Sequence, residues 1–388
     1  MKKILIVHNF YKDFGGEDSN INQEINALKK NFEVIFYSLN NADKLNIYDY
    51  FSFIFRRNFK QDKNFKKLLN EFKPDIVYVH NTWFKISLGI FSILIKKNIK
   101  TIVKIHSFRY RCSNSLLINK HLSGKLVCSA CNIKHKKFQL FNKYYSDSYT
   151  KSFFLILYSK KFLKIIQHPI IIIAALNEFH KHALIKLGFD SEKIRIIHNP
   201  IYIDEKLMNS SSVVKTNSIV YAGRISFEKG INELIESFIN SNLSNYILYI
   251  IGTGPYFETA QQKYTYTNVK FMNFLSHSDT LKIIQSAKAV VTCTKLLEGQ
   301  PMLLCEASAL KTISIFPNFG GMVEFFPDDY PFKFAQGDYE DLVKKIKLIE
   351  NNDLLNNSAK SVYNFMSKKI DRENYLNNFF EILQNKIH

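Results

Sequence analysis

Short apolar runs alternate with amphipathic segments along the whole chain. The runs are rich in Val and Ile, as buried strands are, whereas the segments between them have apolar residues at helical spacing. Strands that alternate with helices predict parallel sheets covered by helices on both faces. The predicted strands are 4–9, 34–39, 75–81, 101–107, 170–176 and 193–200 in the first half, and 218–223, 246–252, 268–274, 289–294 and 312–317 in the second.

A break in this alternation predicts a domain boundary. The dipeptide at 199–200, Asn-Pro, ends the last run of the first half, and a polar stretch follows before the runs resume. We therefore expect an α/β protein of two tandem Rossmann-like domains, each a doubly wound parallel sheet, that face a cleft. The domains would span 1–200 and 201–370, and the helical segment 371–388 is expected to pack on the first.

The excess of positive charge lies entirely in the first half. Residues 1–200 contain 34 Lys and Arg against 14 Asp and Glu, whereas residues 201–388 contain 19 against 20. Such asymmetry indicates a polyanionic partner or an anionic surface, although a Lys-rich surface from biased composition is the alternative. The segments 48–69 and 132–166 interleave basic and aromatic residues, which favours helices that lie in a membrane interface. Ordinary amphipathic packing is the alternative there, and no motif for nucleic acid accompanies them.

No segment is long enough to span a membrane. The longest strongly apolar stretch without charge, 165–177, has 13 residues and contains a proline. The N-terminus is interpreted as a first strand rather than a signal peptide, so we expect a cytoplasmic protein.

The cysteines raise one metal hypothesis. Cys112, Cys128 and Cys131 have the spacing C-x15-C-x2-C within a predicted insertion, 107–137, and a zinc site or buried thiols would both explain them. The other two cysteines, Cys293 and Cys305, are expected in the core.

Residues 295–307, KLLEGQPMLLCEA, carry two carboxylates at the start of a predicted helix. Pro301 lies where proline is preferred in a first helical turn. Glu298 precedes it in a loop, and Glu306 follows within the helix. A helix that starts at this proline has an anion-binding N-terminus beside the first carboxylate. The N–H groups that line it are those of Gln300, Met302 and Leu303.

Three glycine-bearing loops follow predicted strands. Arg224 and Lys229 are framed by two glycines. A forked guanidinium together with a compact ammonium suits a diphosphate. The alternative to a diphosphate site is ordinary surface charge on a loop between a strand and a helix. Gly252 lies in a loop that either approaches a ligand or only turns the chain. Gly15 and Gly16 allow a close backbone approach to a ligand, or form a plain tight turn outside any GxGxxG fingerprint.

Five motifs of the second half are similar, in order and spacing, to the second domain of the family 4 retaining glycosyltransferases, which have the GT-B fold. The motifs are AGRISFEKG (222–230), IGTGP (251–255), NFLSHSD (273–279), EGQPMLLCEA (298–307) and NFGGMVE (318–324). FGGEDS and the strand-ending His106 resemble the first domain of the same family. His8 and His80 also end strands, and a lone histidine there is more often structural.

The resemblance implies roles for these residues. Arg224 and Lys229 would bind the diphosphate of a nucleotide-sugar, and Glu306 would accept hydrogen bonds from two ribose hydroxyls. Glu298 and the N–H groups after it would bind the donor sugar, and His106 would orient donor sugar and acceptor. The implied catalytic residues are His106 and Glu298, and the implied donor-binding residues are Gly15, Gly16, Arg224, Lys229, Gly252, Leu275, Gly299, Gln300, Met302, Leu303 and Glu306.

The function that the resemblance implies is retaining transfer of a sugar without a metal or other cofactor. The chain has no Asp-x-Asp triplet, which agrees with metal-independent transfer. The expected acceptor is a hydroxyl of a polyprenyl-diphosphate-linked or oligosaccharide glycan in cell-surface polysaccharide synthesis, such as O-antigen or capsule. The enzyme would act as a peripheral protein on the inner face of the cytoplasmic membrane. The alternatives are a soluble transferase with a free glycan or small-molecule acceptor, and a non-catalytic protein that binds polyanions.

Overall fold

The computed structural model describes residues 1–11, 16–44, 46–107, 149–203, 207, 213–370 and 372–384. These residues divide into two compact units. The first unit contains residues up to 200 and the last helix, and the second unit contains residues 201–370. Cys112, Cys128 and Cys131, and with them the zinc hypothesis, lie outside the described residues.

The first unit is built on a six-stranded parallel sheet in the order β2-β1-β3-β4-β5-β6. Its inner strands are almost entirely buried because helices cover the sheet, which explains their continuous apolar sequences. The strands are β1 (Lys3–Phe10), β2 (Glu33–Asn40), β3 (Ile76–Asn81), β4 (Thr101–Ile105), β5 (Ile171–Ala175) and β6 (Ile194–Ile196). The helices are α1 (Gly16–Lys29), α2 (Ile47–Phe55), α3 (Phe59–Phe72), α4 (Gly89–Lys96), α5 (Tyr149–Ile165) and α6 (Glu178–Ile185).

The second unit repeats this architecture with the sheet order β12-β11-β10-β7-β8-β9. Its strands are β7 (Thr216–Ala222), β8 (Ile247–Ile251), β9 (Val269–Met272), β10 (Ala287–Val291), β11 (Ile313–Pro317) and β12 (Lys333–Phe334). Its helices are α7 (Ile231–Asn240), α8 (Phe257–Lys263), α9 (His277–Ser286), α10 (Met302–Ala309), α11 (Tyr339–Lys347) and α12 (Asn352–Lys369).

The last helix, α13 (Arg372–Gln384), belongs to the first unit. Tyr375, Leu376, Phe379 and Ile382 are buried in one cluster with apolar side chains of α1 and of the first sheet. The Lys100 ammonium also donates a hydrogen bond of 2.6 Å to the backbone oxygen of Ile382. The chain therefore returns to complete the core of its first unit.

The prediction of two α/β units with parallel sheets is confirmed. The prediction missed β12, because a strand of two residues has no apolar run to reveal it. Helix α10 begins at Met302, one residue later than predicted, since Pro301 has an extended ψ of 104° and caps the helix.

Cys293 and Cys305 are buried, as expected. Among the described helices, none combines the length and the apolar character that crossing a bilayer requires.

Candidate active site

A close backbone contact holds the loop after β7 against the end of β10. A single 3-10 turn, Phe227–Lys229, leads into Gly230, whose φ is +72°. A Cβ on this glycine would lie 2.1 Å from the backbone oxygen of Cys293, so no other residue fits without a shift of the backbone. The contact brings Lys229 close to the segment that carries Glu298.

Lys229 and Glu298 form an ion pair at this place. The Lys229 Nζ atom lies 2.5 Å from Oε1 of Glu298, and each side chain is 24% exposed. The Thr294 hydroxyl donates a second hydrogen bond, of 3.2 Å, to the same oxygen. Burial by itself would raise the pKa of Glu298, but Lys229, Thr294 and the nearby Arg224 together hold that pKa below its ordinary value. Glu298 is therefore an ionised, half-buried carboxylate.

Arg224 is held on the other side of the same loop. Its guanidinium donates to the carboxylate of Glu228 and stays partly exposed. The hydroxyl of Tyr221 donates a hydrogen bond of 2.8 Å to the backbone oxygen of Arg224, which fixes the start of the loop. Both predicted diphosphate-binding cations thus have a carboxylate partner in this structure.

Glu306, the second carboxylate of the predicted motif, lies in α10 and pairs with a histidine. The distance between Oε1 of Glu306 and Nε2 of His277 is 2.8 Å. The hydrogen bond to Glu306 raises the pKa of His277 above its ordinary value, against the opposing effect of burial. His277 was missed as a site residue, although it lies in NFLSHSD and is the first residue of α9.

Except for Gly15 and Gly16 in the first half of the chain, the other predicted donor-binding residues lie in the same unit. Gly252 has a φ of +131°, and its Cβ would meet the backbone oxygen of Gly223 at 2.1 Å, so the loops after β7 and β8 touch through their backbones. The N–H of Gly321, in NFGGMVE, donates to the backbone oxygen of Glu298 at 2.9 Å. Gly299 and Gln300 are buried, whereas Leu275, Met302 and Leu303 are half-buried.

The first unit places three histidines at the ends of its central strands. His8 is fully buried and lies 2.8 Å from Asp18, and His80 is fully buried beside it. His106 follows β4 and is half-buried, so it is the only one of the three that is appreciably exposed. Gly15 lies outside the described residues, and Gly16 is the first residue of α1.

His106 is joined to His80. Nε2 of His106 lies 2.9 Å from Nδ1 of His80, and the two rings stack with their centroids 5.1 Å apart. Burial, followed by the charge of Lys104, holds the pKa of His80 well below its ordinary value. Burial, followed by the neighbouring His80 and Lys104, does the same for the pKa of His106. Both rings are therefore neutral at physiological pH.

A buried carboxylate, Glu24 of α1, lies next to this pair. Its oxygens accept hydrogen bonds from Asn20 at 2.6 Å, Tyr78 at 2.7 Å, Lys104 at 3.0 Å and Tyr375 of α13 at 2.7 Å. Burial lowers the pKa of Lys104 more than the carboxylate raises it. The network was not predicted, because its members come from four separate elements of the chain.

Glu24, His80 and His106 could in principle hold a metal ion, since one ligand atom of each lies within 4.8 Å of the others. The donor set argues against it. Both oxygens of Glu24 are already engaged by four donors, and one of these is the Lys104 ammonium, which would repel a cation. Nδ1 of His80 and Nε2 of His106 are also hydrogen-bonded to each other.

Two family models match the chain, one for each half. Residues 25–205 match Glycosyltransferase Family 4, and residues 203–365 match Glycosyl transferases group 1. Among curated proteins, an alignment of 192 residues at 22% identity covers 47% of this chain. The relative is the GalNAc-alpha-(1->4)-GalNAc-alpha-(1->3)-diNAcBac-PP-undecaprenol alpha-1,4-N-acetyl-D-galactosaminyltransferase of Campylobacter jejuni, and the alignment spans about half of its length, 53%.

Solved structures share the fold over nearly the whole chain at low identity. Sucrose-phosphate synthase from Thermosynechococcus elongatus has a TM-score of 0.72 at 13% identity and covers 98% of both chains. Anabaena Alr3699/HepE with UDP and glucose has a TM-score of 0.68 at 13% identity over 99% of both. The apo lipopolysaccharide outer core galactosyltransferase WaaB has a TM-score of 0.62 at 18% identity and covers 98% of this chain and 99% of its own.

Proposed function

Because this chain belongs to glycosyltransferase family 4 and has the GT-B fold, we propose that it transfers a sugar from a nucleotide-diphosphate sugar to an acceptor hydroxyl with retention of configuration. The observation that carries the proposal is the ion pair of Lys229 with Glu298, beside Arg224 and next to the N-terminus of α10. Cations for a diphosphate and a carboxylate for a sugar are thus held within one unit.

Donor binding would exchange carboxylate partners for phosphate. Arg224 and Lys229 are each paired with an acidic side chain, and a diphosphate offers them oxygens of higher charge in the same geometry. The ribose hydroxyls would displace His277 from Glu306, because a carboxylate has two acceptor oxygens for two vicinal donors. Glu298 would then accept from hydroxyls of the donor sugar.

The chemistry that we propose is mainly charge stabilisation and positioning. As the bond between the sugar and the diphosphate breaks, negative charge develops on the leaving phosphate. Arg224, Lys229 and the positive end of the α10 dipole would stabilise that charge without a metal. The acceptor hydroxyl would attack from the same face and give its proton to the departing phosphate, so that no side chain needs to act as a covalent nucleophile.

The acceptor that we propose is a lipid-linked or oligosaccharide glycan of the cell surface. The name of the Campylobacter relative specifies an undecaprenyl-diphosphate-linked acceptor, and WaaB is named for lipopolysaccharide. With a nucleotide-sugar donor and a lipid-linked acceptor, the protein would act on the inner face of the cytoplasmic membrane. The surface of the first unit supports this part of the proposal.

Helix α2 and the start of α3 expose a group of large apolar side chains, which we call the aromatic surface. It consists of Ile47, Tyr48, Tyr50, Phe51, Ile54, Phe55 and Phe59, and the exposed fractions reach 64% at Ile47 and 60% at Tyr50. A cluster of this kind on two consecutive helices is characteristic of an interaction site. Aromatic side chains on a short amphipathic helix suit the headgroup region of a bilayer.

Exposed basic residues follow the aromatic surface along α3. Lys60, Lys63, Lys66 and Lys67 are exposed on α3. Lys161 of α5 adds to the cluster, since burial first and then the charges of Arg56 and Arg57 lower its pKa. Each such cation contributes about 1 kcal/mol to binding at an anionic lipid surface. Exposed apolar side chains with exposed cations on the adjoining helix complement an anionic bilayer, so we propose that this surface docks there.

A transfer assay tests the function. Purified protein would be incubated with candidate nucleotide-sugars and with either a polyprenyl-diphosphate-linked glycan or the same glycan without lipid, and products would be detected by mass spectrometry. Transfer with retained configuration to the lipid-linked glycan supports the proposal. Transfer to the free glycan alone would support the soluble transferase instead, and absence of transfer in every combination would count against an enzyme.

Sedimentation with vesicles tests the membrane surface. We expect binding to phosphatidylglycerol vesicles at low salt and weaker binding at high salt, with little binding to phosphatidylcholine. Phe51→Ser with Phe55→Ser should abolish it, whereas the matched control Phe274→Ser, exposed in the second unit, should not. No sedimentation of the wild type with anionic vesicles at low salt would refute this surface.

A further inference from the structure

A buried ion pair in the second unit takes no part in the proposed transfer. Nζ of Lys295, in the loop after β10, lies 2.6 Å from Oε1 of Glu233, in the first turn of α7. The Lys295 side chain is only 3% exposed. Removing two charges from water is costly, and apolar residues of the same volume often stabilise a fold equally well. The pair therefore needs an explanation other than stability.

Lys295 contacts the turn Phe227–Lys229 at two points. Its backbone N–H donates a hydrogen bond of 2.9 Å to the backbone oxygen of Glu228. Its ammonium lies 3.9 Å from the centroid of the Phe227 ring, a distance at which a cation is attracted to the face of an aromatic ring. A single residue of one loop thus engages two of the three residues in the turn that ends at Lys229.

The ring of Phe227 is itself held by Tyr256, in the loop after β8. The two rings meet edge to face with their centroids 6.4 Å apart. Tyr256 is fixed in turn, because its N–H donates to the backbone oxygen of Ile225 at 3.1 Å and its hydroxyl donates to the side chain of Asn232 at 2.9 Å. The Lys295 ammonium therefore packs on a ring whose position is set by its surroundings.

Glu233 contacts Lys295 from the other side of the turn. Its Oε1 atom accepts from the ammonium, whereas its Oε2 atom is buried and has no hydrogen-bond partner in the part of the chain that the structure describes. Phe227 precedes Lys229 in the chain and Glu233 follows it, so Lys295 contacts residues on both sides of the cation that we assign to phosphate. We name the contacts of Lys295 with Glu233, Phe227 and Glu228 the clasp.

The clasp differs in exposure from the ion pair of Lys229 with Glu298. Both side chains of that pair are 24% exposed, whereas the Lys295 side chain is 3% exposed. A donor diphosphate would reach the Lys229 ammonium and replace Glu298 as its partner. The Lys295 ammonium is buried, so it would keep its own partners when this exchange takes place.

We propose that Lys295 and Glu233 are positioning residues, and that the clasp keeps the turn of Lys229 against the loop of Glu298 when a diphosphate takes Lys229 away from Glu298. The exchange of partners rests on the proposed function, whereas the hold of the clasp on the turn does not. The close approach of Gly230 joins the same two loops at one point, and the clasp adds contacts on both sides of it. A cation that is already in place has less to lose in conformational freedom when the donor binds.

A double variant removes the clasp without leaving a buried charge alone. Lys295→Met by itself would strand the carboxylate of Glu233, so it is combined with Glu233→Leu, and this pair of changes is the clasp variant. The matched control is Lys263→Met with Glu236→Leu, which removes an exposed ion pair that also starts from α7. Urea unfolding of both variants shows whether each is folded and how stable it is.

Hydrogen exchange of the substrate-free, full-length protein tests the hold on the turn. The amides of Lys229 and Gly230 report on it, since they donate to the backbone oxygens of Ser226 and Phe227. We expect both amides to exchange roughly tenfold faster in the clasp variant and at the wild-type rate in the control. Unchanged exchange in the clasp variant would overturn the proposal. If that variant does not fold, Phe227→Leu decides the question, because it keeps the ion pair, removes the aromatic face and should accelerate the same amides.

Calorimetric titration with UDP, GDP, ADP and dTDP tests the role in donor binding. We expect the clasp variant to bind the preferred nucleotide roughly tenfold more weakly than the wild type, at a similar free energy of unfolding, and the control to bind as the wild type does. A clasp variant that is less stable but binds with unchanged affinity would show a merely structural role and overturn the proposal. If the wild type binds none of the four nucleotides, the proposed function fails, and the exchange rates alone then decide whether the clasp holds the turn.

Discussion

The Lys229 ammonium and the Glu298 carboxylate lie 2.5 Å apart, although 69 positions separate them in the sequence. Their pairing joins the loop after β7 to the loop after β10. Gly230 makes it possible, because its missing side chain lets the first loop touch the backbone of Cys293. The cation that we propose for phosphate and the carboxylate that we propose for sugar are thereby positioned by each other.

Replacing Glu298 by Gln should remove most of the activity. The substitution keeps the shape but removes the charge that holds Lys229 and that would contact the donor sugar. We expect kcat to fall by about 10²–10³, the range found when one preorganised electrostatic group is lost. The measurement is steady-state transfer, with Glu236→Gln as the control, since that carboxylate forms an exposed ion pair with Lys263. Activity of Glu298→Gln equal to that of the control would contradict the role of Glu298.

Affinity for the nucleotide should increase with pH above about 6.5 because of His277. The pKa of this histidine is raised while it is bonded to Glu306, so it is protonated over a wider pH range in the donor-free protein. Ribose would displace it, return its pKa towards 6.5 and release a proton. Binding is therefore weakest where His277 is charged, and it strengthens as pH rises through the raised pKa.

Calorimetric titration with the preferred nucleoside diphosphate, between pH 6 and pH 8.5, measures this dependence. His277→Gln is the control, because it keeps the ionisation of the phosphates but removes that of the imidazole. The difference between the two proteins is the contribution of His277. Identical pH profiles would show that the nucleotide does not displace His277.

Two glycine variants separate backbone strain from a steric clash. Gly230 and Gly188 both have positive φ, +72° and +87°, but a Cβ on Gly188 would meet nothing within 4 Å. We expect Gly188→Ala to lower the free energy of unfolding by about 1 kcal/mol, and Gly230→Ala by about 3 kcal/mol because Cys293 must move as well. Denaturant unfolding checks both values. Equal losses of unfolding free energy in the two variants would mean that the backbone at Cys293 can move away from the added Cβ at little cost.

His80 and His106 should make the first unit less stable in acid. The pKa values of His80 and His106 are lowered in the folded state, so the unfolded chain takes up protons first as pH falls below 6.5. Their contribution to stability is complete above that pH and is lost below it, by about 1.4 kcal/mol for each pH unit per histidine down to the folded pKa.

Burial is the main cause of both lowered pKa values; the charges of Lys104 and His8 lower them further, whereas Glu24 raises the pKa of His106. Urea unfolding of the wild type at pH 7.5 and pH 5.5 measures the effect, and His80→Phe should show a smaller difference between the two. An unchanged difference in that variant would assign the acid sensitivity to other groups.

Much of the fold could be predicted from local pattern, because each strand except β12 is an apolar run and a parallel sheet needs helices between its strands. The positions of the two motif carboxylates followed from the same logic, with Glu298 in a loop and Glu306 in α10. The start of α10 was misjudged by one residue, since proline is compatible both with a cap and with a first helical position.

The polar partners could not be predicted in this way. His277 meets Glu306 only because α9 and α10 lie side by side, and their separation of 29 positions carries no local signal. Glu24 and Tyr375 are 351 positions apart and meet because the last helix returns to the first unit. Such contacts depend on tertiary packing, whereas hydrophobic periodicity reports only on the element that contains it.

The most direct test of the central claim is thermal unfolding of the wild type with a panel of nucleotide-sugars. A ligand present at 100 times its Kd stabilises a protein by about 2.7 kcal/mol, which would raise Tm by several degrees. We predict that at least one nucleotide-sugar raises Tm, and that Glu306→Ala loses this shift while it remains folded. If no nucleotide-sugar raises Tm of the folded wild type, the assignment of the site in the second unit to donor binding is contradicted.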